Sequence, residues 1–352
     1  MFLSISTILV IDVNAQNKSD STEKNLRFAA IPIINYNRTQ GIYLGAFGQV
    51  FYNVNKKDTI SPASSSGLLG IYTAEKSWAI GFIQQLYLAE DYWRIRLAAV
   101  RGNLNFQFFN GNPDANVGNF ENYSNEVAIV MAQVQYKIWN RLYGGLYAEY
   151  NFTKTYFTSQ GDSLDEQRMS NLGYVISQDS RDNVFFPTTG IFFNFKNQFY
   201  REWTGSDANF TKYRINYTQF FDLLEDQRHI LVARLNFEIA TGDVPFQGQA
   251  IVGMDDIRGY SEGKYRGNQV YDLQSEYRWM FNDSNFGVVG FFGIASAVES
   301  IDEIFSTKLL PGGGAGLRYR LIPSLKVNIG FDVGVGRDDY SLVFRIGEAF
   351  AR

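Results

Sequence analysis

The chain has 352 residues, a net charge of −4, 16% aromatic residues and no cysteine. A slightly acidic balance excludes the basic face that nucleic-acid binding needs, and the lack of cysteine excludes a disulfide framework or a thiolate metal site. No run of about 18 apolar residues exists, so no transmembrane helix is expected.

In chain order, the first feature is a short apolar stretch from Leu3 to Ile11, followed by Val13-Asn14-Ala15. Small residues at the first and third positions of that triplet fit a signal-peptidase site. Residues 1–15 are therefore expected to be a signal peptide cleaved after Ala15. Residues 16–26 are polar and expected to form a short flexible periplasmic leader. The remainder, 27–352, reads as one all-β barrel domain.

Sixteen segments carry a period-2 pattern between turn signals. They span 27–36, 40–54, 66–75, 77–88, 91–105, 123–138, 141–153, 169–179, 189–202, 209–222, 227–241, 267–281, 285–297, 311–321, 324–336 and 340–350. The clearest runs from Leu325 to Gly336. Its odd positions are Leu, Val, Ile, Phe, Val and Val, and its even positions are Lys, Asn, Gly, Asp, Gly and Gly. Successive side chains of a strand point to opposite faces, so one face is apolar and the other polar or empty. In an outer-membrane barrel the apolar face meets lipid and the polar face a wet lumen. The 22 Tyr and 30 Phe suit the aromatic girdles of such a barrel.

Prolines respect the assignment. Pro62, Pro113, Pro187, Pro245 and Pro323 fall between strands, Pro311 at a strand start, and only Pro32 inside one. Connection lengths alternate as well. The long ones, 106–122, 154–168, 242–266 and 298–310, share one rim, and most of the others are tight. A closed sheet with an even strand number leaves no unpaired edge in lipid.

Facing follows from parity. Ile191, Phe193, Phe195 and Phe199 point out, while Asn194, Lys196 and Gln198 point in. Leu231, Ala233, Leu235, Phe237 and Ile239 point out, against Arg234, Asn236 and Glu238. Tyr271, Leu273, Tyr277 and Trp279 point out, against Asp272, Gln274, Glu276 and Arg278. Strands 40–54 and 77–88 are ambiguous. The lumen is expected to be lined by mixed charge.

The connection 242–266 contains Asp256-Ile257-Arg258-Gly259-Tyr260, and the next strand carries Glu276-Tyr277-Arg278. With the strand count, these residues resemble the BamA/TamA-type outer-membrane assembly and secretion superfamily, the bacterial surface antigen family. The resemblance implies a 16-stranded antiparallel barrel whose long sixth outer loop folds into the lumen. It also implies that the Arg of the [VI]-R-G-[FY] motif is held by the inner wall. Ile257, Arg258, Gly259 and Tyr260 are then the loop lock, with Glu276 and Arg278 on the wall. An arginine offers a planar fork that suits a carboxylate. Glu276, Asp272 and Glu238 are inward by parity, and Glu276 is the expected partner.

Asp179-Ser180-Arg181-Asp182, with Pro187 and Gly190, is similar to a periplasmic turn of that family. The run Leu342–Phe350 resembles its aromatic-ended insertion signal. Two departures stand out. Gly293 occupies the place of an acid that often helps hold the arginine. The residues before Arg27 are also too few for the POTRA domains that assembly and secretion members carry, so the chain reads as a member lacking them.

Closure requires the first strand to pair with the last. Pro32 removes a donor there and Gly347 thins the last strand, with Phe350 at its end. Each lost ladder bond costs about 1 kcal/mol or more without water, so these residues mark a weak seam.

No other motif carries chemistry. Gly312-Gly313-Gly314-Ala315-Gly316 lacks the lysine and helix of a phosphate loop and reads as room for the folded loop. The single histidine, His229, faces outward near a turn, where no catalytic centre is expected. Asp255-Asp256 and Asp338-Asp339 read as solvated loop charge. No enzyme activity, cofactor or metal is expected. The expected partners are outer-membrane lipid, with accessory envelope proteins or client polypeptides. The expected role is envelope maintenance, or transfer of lipid or polypeptide across or into the outer membrane. The alternative is a passive porin-like channel for small solutes.

Overall fold

The computed structural model describes residues 26–37, 41–114, 117–157, 163–253, 257–282, 284–323 and 326–350. The signal peptide 1–15, leader residues 16–25 and the pair Asp255-Asp256 lie outside them. Leu26, assigned to the leader from sequence, is the first residue of a strand.

The strands are β1 (Leu26–Asn37), β2 (Gly41–Tyr52), β3 (Ser64–Thr73), β4 (Trp78–Leu88), β5 (Trp93–Asn112), β6 (Val117–Trp139), β7 (Leu142–Phe157), β8 (Ser163–Arg168), β9 (Asn171–Asp179), β10 (Gly190–Tyr200), β11 (Phe210–Asp222), β12 (His229–Gly242), β13 (Ala250–Ile251), β14 (Arg266–Gly267), β15 (Gln269–Met280), β16 (Phe286–Val298), β17 (Leu310–Ile322), β18 (Val327–Gly336) and β19 (Asp339–Ile346). Both β8 and β9 pair with β7 in one unbroken register, so together they make a single stave. The short β13 and β14 pair only with each other, inside the connection between β12 and β15. The remaining strands make a 16-stranded antiparallel, nearly closed barrel. No helix among the described residues is long and apolar enough to cross a membrane.

Each of the sixteen expected segments overlaps one stave. Period-2 patterning is enough to place a strand because it states which residues share a face. Outward residues such as Leu44, Leu68, Ile80, Val130, Leu146, Leu273 and Val333 are exposed, while their chain neighbours turn inward. An exposed apolar belt of this extent belongs against lipid.

Three expectations are corrected. First, 106–122 is not a long loop. β5 and β6 continue as an extended hairpin whose register runs from Phe106↔Tyr123 to Asn112↔Val117. Asn, Gly and Pro residues made this segment read as turn, but its backbone bonds to itself and needs no barrel neighbour. Likewise 154–168 largely continues β7 and β8, paired from Phe152↔Arg168 to Phe157↔Ser163.

Second, the last strand stops at Ile346. Gly347 takes a φ of 89°, and its N–H donates to the Asn328 carbonyl at 2.7 Å. Residues 348–350 leave the ladder, and Glu348 and Phe350 become buried. Gly347 and Phe350 are therefore not ladder positions of a seam. Among the described residues β1 and β19 share one pair, Tyr36↔Phe344. Pro32 lies opposite Ala46 of β2, four residues from that pair.

Third, the interior is not uniformly charged. Phe186, Phe220, Ile230, Val232, Met280 and Phe350 form a buried apolar cluster. Val232 stands directly opposite Glu276 in the β12–β15 register, so this cluster shares the inner face with the charged residues. A second inward apolar patch joins Phe47, Leu69 and Ile83 across β2, β3 and β4, which settles the facing of the two ambiguous strands.

Candidate functional site

β15, β17, β18 and β19 turn charged side chains to one inner face, and the Arg258 motif packs against them. Arg258 is 1% exposed. Its Nη2 lies 2.6 Å from Glu276 Oε2, and its Nη1 donates to Asp332 Oδ2 at 3.1 Å. The contact to Glu276 is an ion pair by distance without hydrogen-bond alignment. The plane of the guanidinium lies over the Phe291 ring, 3.5 Å from its centroid, where cation and π-face attract.

The network extends beyond this triad. Glu276 Oε1 accepts from Arg278 Nε at 2.7 Å. Asp332 Oδ1 accepts from Arg318 Nη1 at 2.5 Å, and Asp332 pairs with Arg345 at 3.3 Å. Arg318 Nε donates to Glu348 Oε2 at 2.9 Å, and Asn328 Nδ2 donates to Glu348 Oε1 at 2.7 Å. Four arginines and three acids thus share a site in which no side chain is more than 7% exposed. Removing charges from water costs several kcal/mol each, and only pairing of this density offsets it. The inward turn at Gly347 matters here, because it delivers Glu348.

The rest of the motif is fixed by small residues. Gly259 has a φ of 121°, a conformation that side chains disfavour. A Cβ there would also sit 2.6 Å from the Val335 backbone. Its N–H donates to Ser341 Oγ at 2.9 Å. Gly312, Gly334 and Gly336 leave room for the motif, since a Cβ at each would meet residues 257–260 within 3 Å. Tyr260 is fully buried, donates to the Pro311 carbonyl at 2.7 Å and accepts from the Arg337 amide at 3.1 Å. Ile257 packs with Val252, Tyr265, Val270 and Leu310. The amide and hydroxyl of Ser261 both donate to Asp339, at 2.9 and 3.0 Å. Asp339 is thus engaged rather than merely solvated.

Of the three inward acids expected from parity, only Glu276 reaches Arg258. Asp272 accepts from Asn236 at 2.8 Å, and Glu238 pairs with Lys212 and Arg214. The second acid, Asp332, was not expected. Its place on the polar side of the 325–336 alternation was the available signal. It supplies a charge that the glycine at 293 does not, from a strand two places along. Arg278 joins through Glu276, while Pro32 touches none of this group. His229 bonds the Tyr277 hydroxyl through Nδ1 at 2.6 Å, at the strand end and away from the network. Among the described residues no group of three His, Asp or Glu side chains is placed to hold a metal.

A family model described as the Omp85 superfamily domain matches residues 73–350. Among curated proteins, the chain is similar to outer membrane protein assembly factor BamA of Nitratidesulfovibrio vulgaris. That match is 28% identical over 192 residues, 49% of this chain and 24% of that protein. The chain therefore aligns with about a quarter of that relative's length. Among solved structures, it resembles BamA from Haemophilus ducreyi lacking POTRA domains 1–3, with 13% identity and a TM-score of 0.66, covering 92% of this chain and 69% of that one. It also resembles CdiB from Acinetobacter baumannii (14%, TM-score 0.58, 92% and 60% covered) and CdiB from Escherichia coli (13%, TM-score 0.60, 93% and 64% covered). At these identities the solved structures speak to the fold. The family model spans most of the chain, and on that ground the protein belongs to the Omp85 superfamily of outer-membrane β-barrels.

Proposed function

We propose that the 243–268 connection folds into the lumen as a plug locked by Arg258. The plugged barrel then serves envelope maintenance by passing lipid or polypeptide across or into the outer membrane. The observation that carries this reading is the burial of Arg258 between Glu276 and Asp332 and over Phe291. A loop arginine free in solvent would be hydrated, and one held by two wall acids is committed to the wall. The long β5–β6 hairpin supports the same reading. Phe109 donates its N–H to the Gly263 carbonyl at 3.1 Å, so the hairpin lies over the connection.

Planar-bilayer conductance of the wild type and of Arg258→Ala tests this. The wild type is expected to conduct little. Arg258→Ala is expected to show larger and flickering conductance as the connection leaves the wall. A large, steady wild-type conductance would replace this reading with a passive solute pore. Unchanged conductance and heat stability in Arg258→Ala would remove the lock.

A further inference from the structure

Away from the Arg258 network, the inner wall changes character twice over a short distance. On β2, β3 and β4, Phe47, Leu69 and Ile83 pack as an apolar patch, with Ala98 of β5 against it. Ala98 stands opposite Ile83. Two residues along the same face of β5, about 7 Å away, is Arg96. Arg96 stands opposite Gln133, and Gln133 opposite Tyr147, whose ring Lys196 covers at 3.8 Å. Lys196 and Arg214 are direct register partners in β10 and β11. Two acids lie among these cations. Glu238 is paired with Lys212 and Arg214, and Glu149 accepts from the neutral Tyr147 hydroxyl and keeps its charge. Among the described residues Arg96 and Lys196 have no ion pair. The cations Arg96, Lys196, Lys212 and Arg214 outnumber the acids Glu149 and Glu238; an excess of positive charge favours an anion, and an apolar wall beside it favours a chain of methylenes.

We propose that this wall is a binding site for an anionic lipid. Arg96 and Lys196 hold its phosphate headgroup, and the Phe47–Leu69–Ile83 patch takes an acyl chain. The proposal rests on the transport reading above and names its substrate class. Charge complementarity and the adjoining apolar surface together argue for an amphiphile. A polypeptide fits less well. The wall strands spend their own backbone groups on one another, so a peptide's N–H and C=O groups would lie unpaired against an apolar surface. An acyl chain asks for no such partners.

The test is photocrosslinking of the full chain in vesicles of equal phosphatidylglycerol and phosphatidylcholine with the same acyl chains. The probe p-benzoylphenylalanine is placed at Leu69, which faces in, or at Leu68, which faces lipid. The Leu69 adduct is expected to favour phosphatidylglycerol about tenfold over the ratio at Leu68, the scale of one or two charge-assisted hydrogen bonds. The pair Arg96→Gln and Lys196→Gln is expected to return that ratio to the Leu68 value. If the pair does not fold, the contrast between positions 69 and 68 in the otherwise unchanged protein still decides. A Leu69 adduct with no headgroup preference, with polypeptide, or with nothing overturns the proposal. So does a preference abolished by equimolar inorganic phosphate, which would mean a free-anion site. A preserved Leu69 preference without lipid transfer between vesicles counts against the transport reading and upholds the site. Transfer without the adduct counts against the site alone.

Discussion

At the scale of single residues, Arg258 draws its holding power from two acids on different strands. Breaking one partner of a buried ion pair leaves an uncompensated charge and typically costs about 3–5 kcal/mol. Asp332→Asn is expected to cost somewhat less, because the amide still accepts hydrogen bonds. A double-mutant cycle of Arg258→Met with Asp332→Asn, read by urea unfolding in detergent, should return a coupling of about 1–3 kcal/mol. Additive losses would show that the two residues act separately. Outside the membrane, Asp182 organises the turn between β9 and β10. Partial burial pushes its carboxyl up. The hydroxyl of Thr188 and the amides of Thr188 and Thr189 outweigh that and hold it below the usual carboxylate range. A group depressed in the folded state stabilises above its unfolded value, about 3.9 for Asp, and loses that contribution as the pH falls through its folded value. The thermal midpoint of the wild type should therefore drop more steeply than that of Asp182→Asn once the pH falls below about 4. Parallel curves would refute this role for the turn.

At the scale of elements, the β5–β6 hairpin shows how a segment with turn-like composition stays extended. Its ladder is internal, and its base is pinned by rings. Phe108 and Tyr123 both meet Phe246 of the 243–268 connection, with centroids 5.5 and 5.6 Å apart. Arg266 covers the same ring, 3.4 Å from its centroid. Phe246 is thus the clasp between hairpin and connection. Phe246→Ala should leave the barrel folded but free the hairpin. Its end, at Pro113 and Asp114, would then be cut faster by added protease, and equal cutting rates would show that the rings do not hold it. The C-terminal segment makes the complementary point. One glycine with positive φ diverts the chain from the sheet, and the diverted residues contribute a carboxylate and a phenyl ring to the interior.

At the scale of the whole molecule, fifteen junctions between staves carry extended ladders, and among the described residues the sixteenth carries one pair. Backbone groups facing a weak junction exchange more readily than those in a continuous ladder. Hydrogen exchange in detergent should therefore find the β19 amides the least protected of the barrel and those shared by β5 and β6 among the most. Uniform protection around the barrel would contradict the single-pair junction. The uneven interior has a similar large-scale meaning. Charge is concentrated where the Arg258 motif lies, and apolar surface lines β2 to β4, so the inner face presents two chemically different walls.

Much of this was legible without coordinates. Alternation of apolar and polar residues determined how many staves there are and, outside the two ambiguous strands 40–54 and 77–88, which residues face out and which face in, because side-chain direction in a strand is a local, two-residue property. The Arg258 motif was marked by its resemblance to a known family, and parity narrowed its partner to three inward acids, of which Glu276 was the expected one. Only the tertiary structure decided that Asp332 is the second partner, that Glu348 joins the network, that 106–122 is a hairpin and that part of the inner wall is apolar. These depend on which inward residues meet across the bore and where the ladder stops. Both are set by long-range register and closure, which no local pattern records.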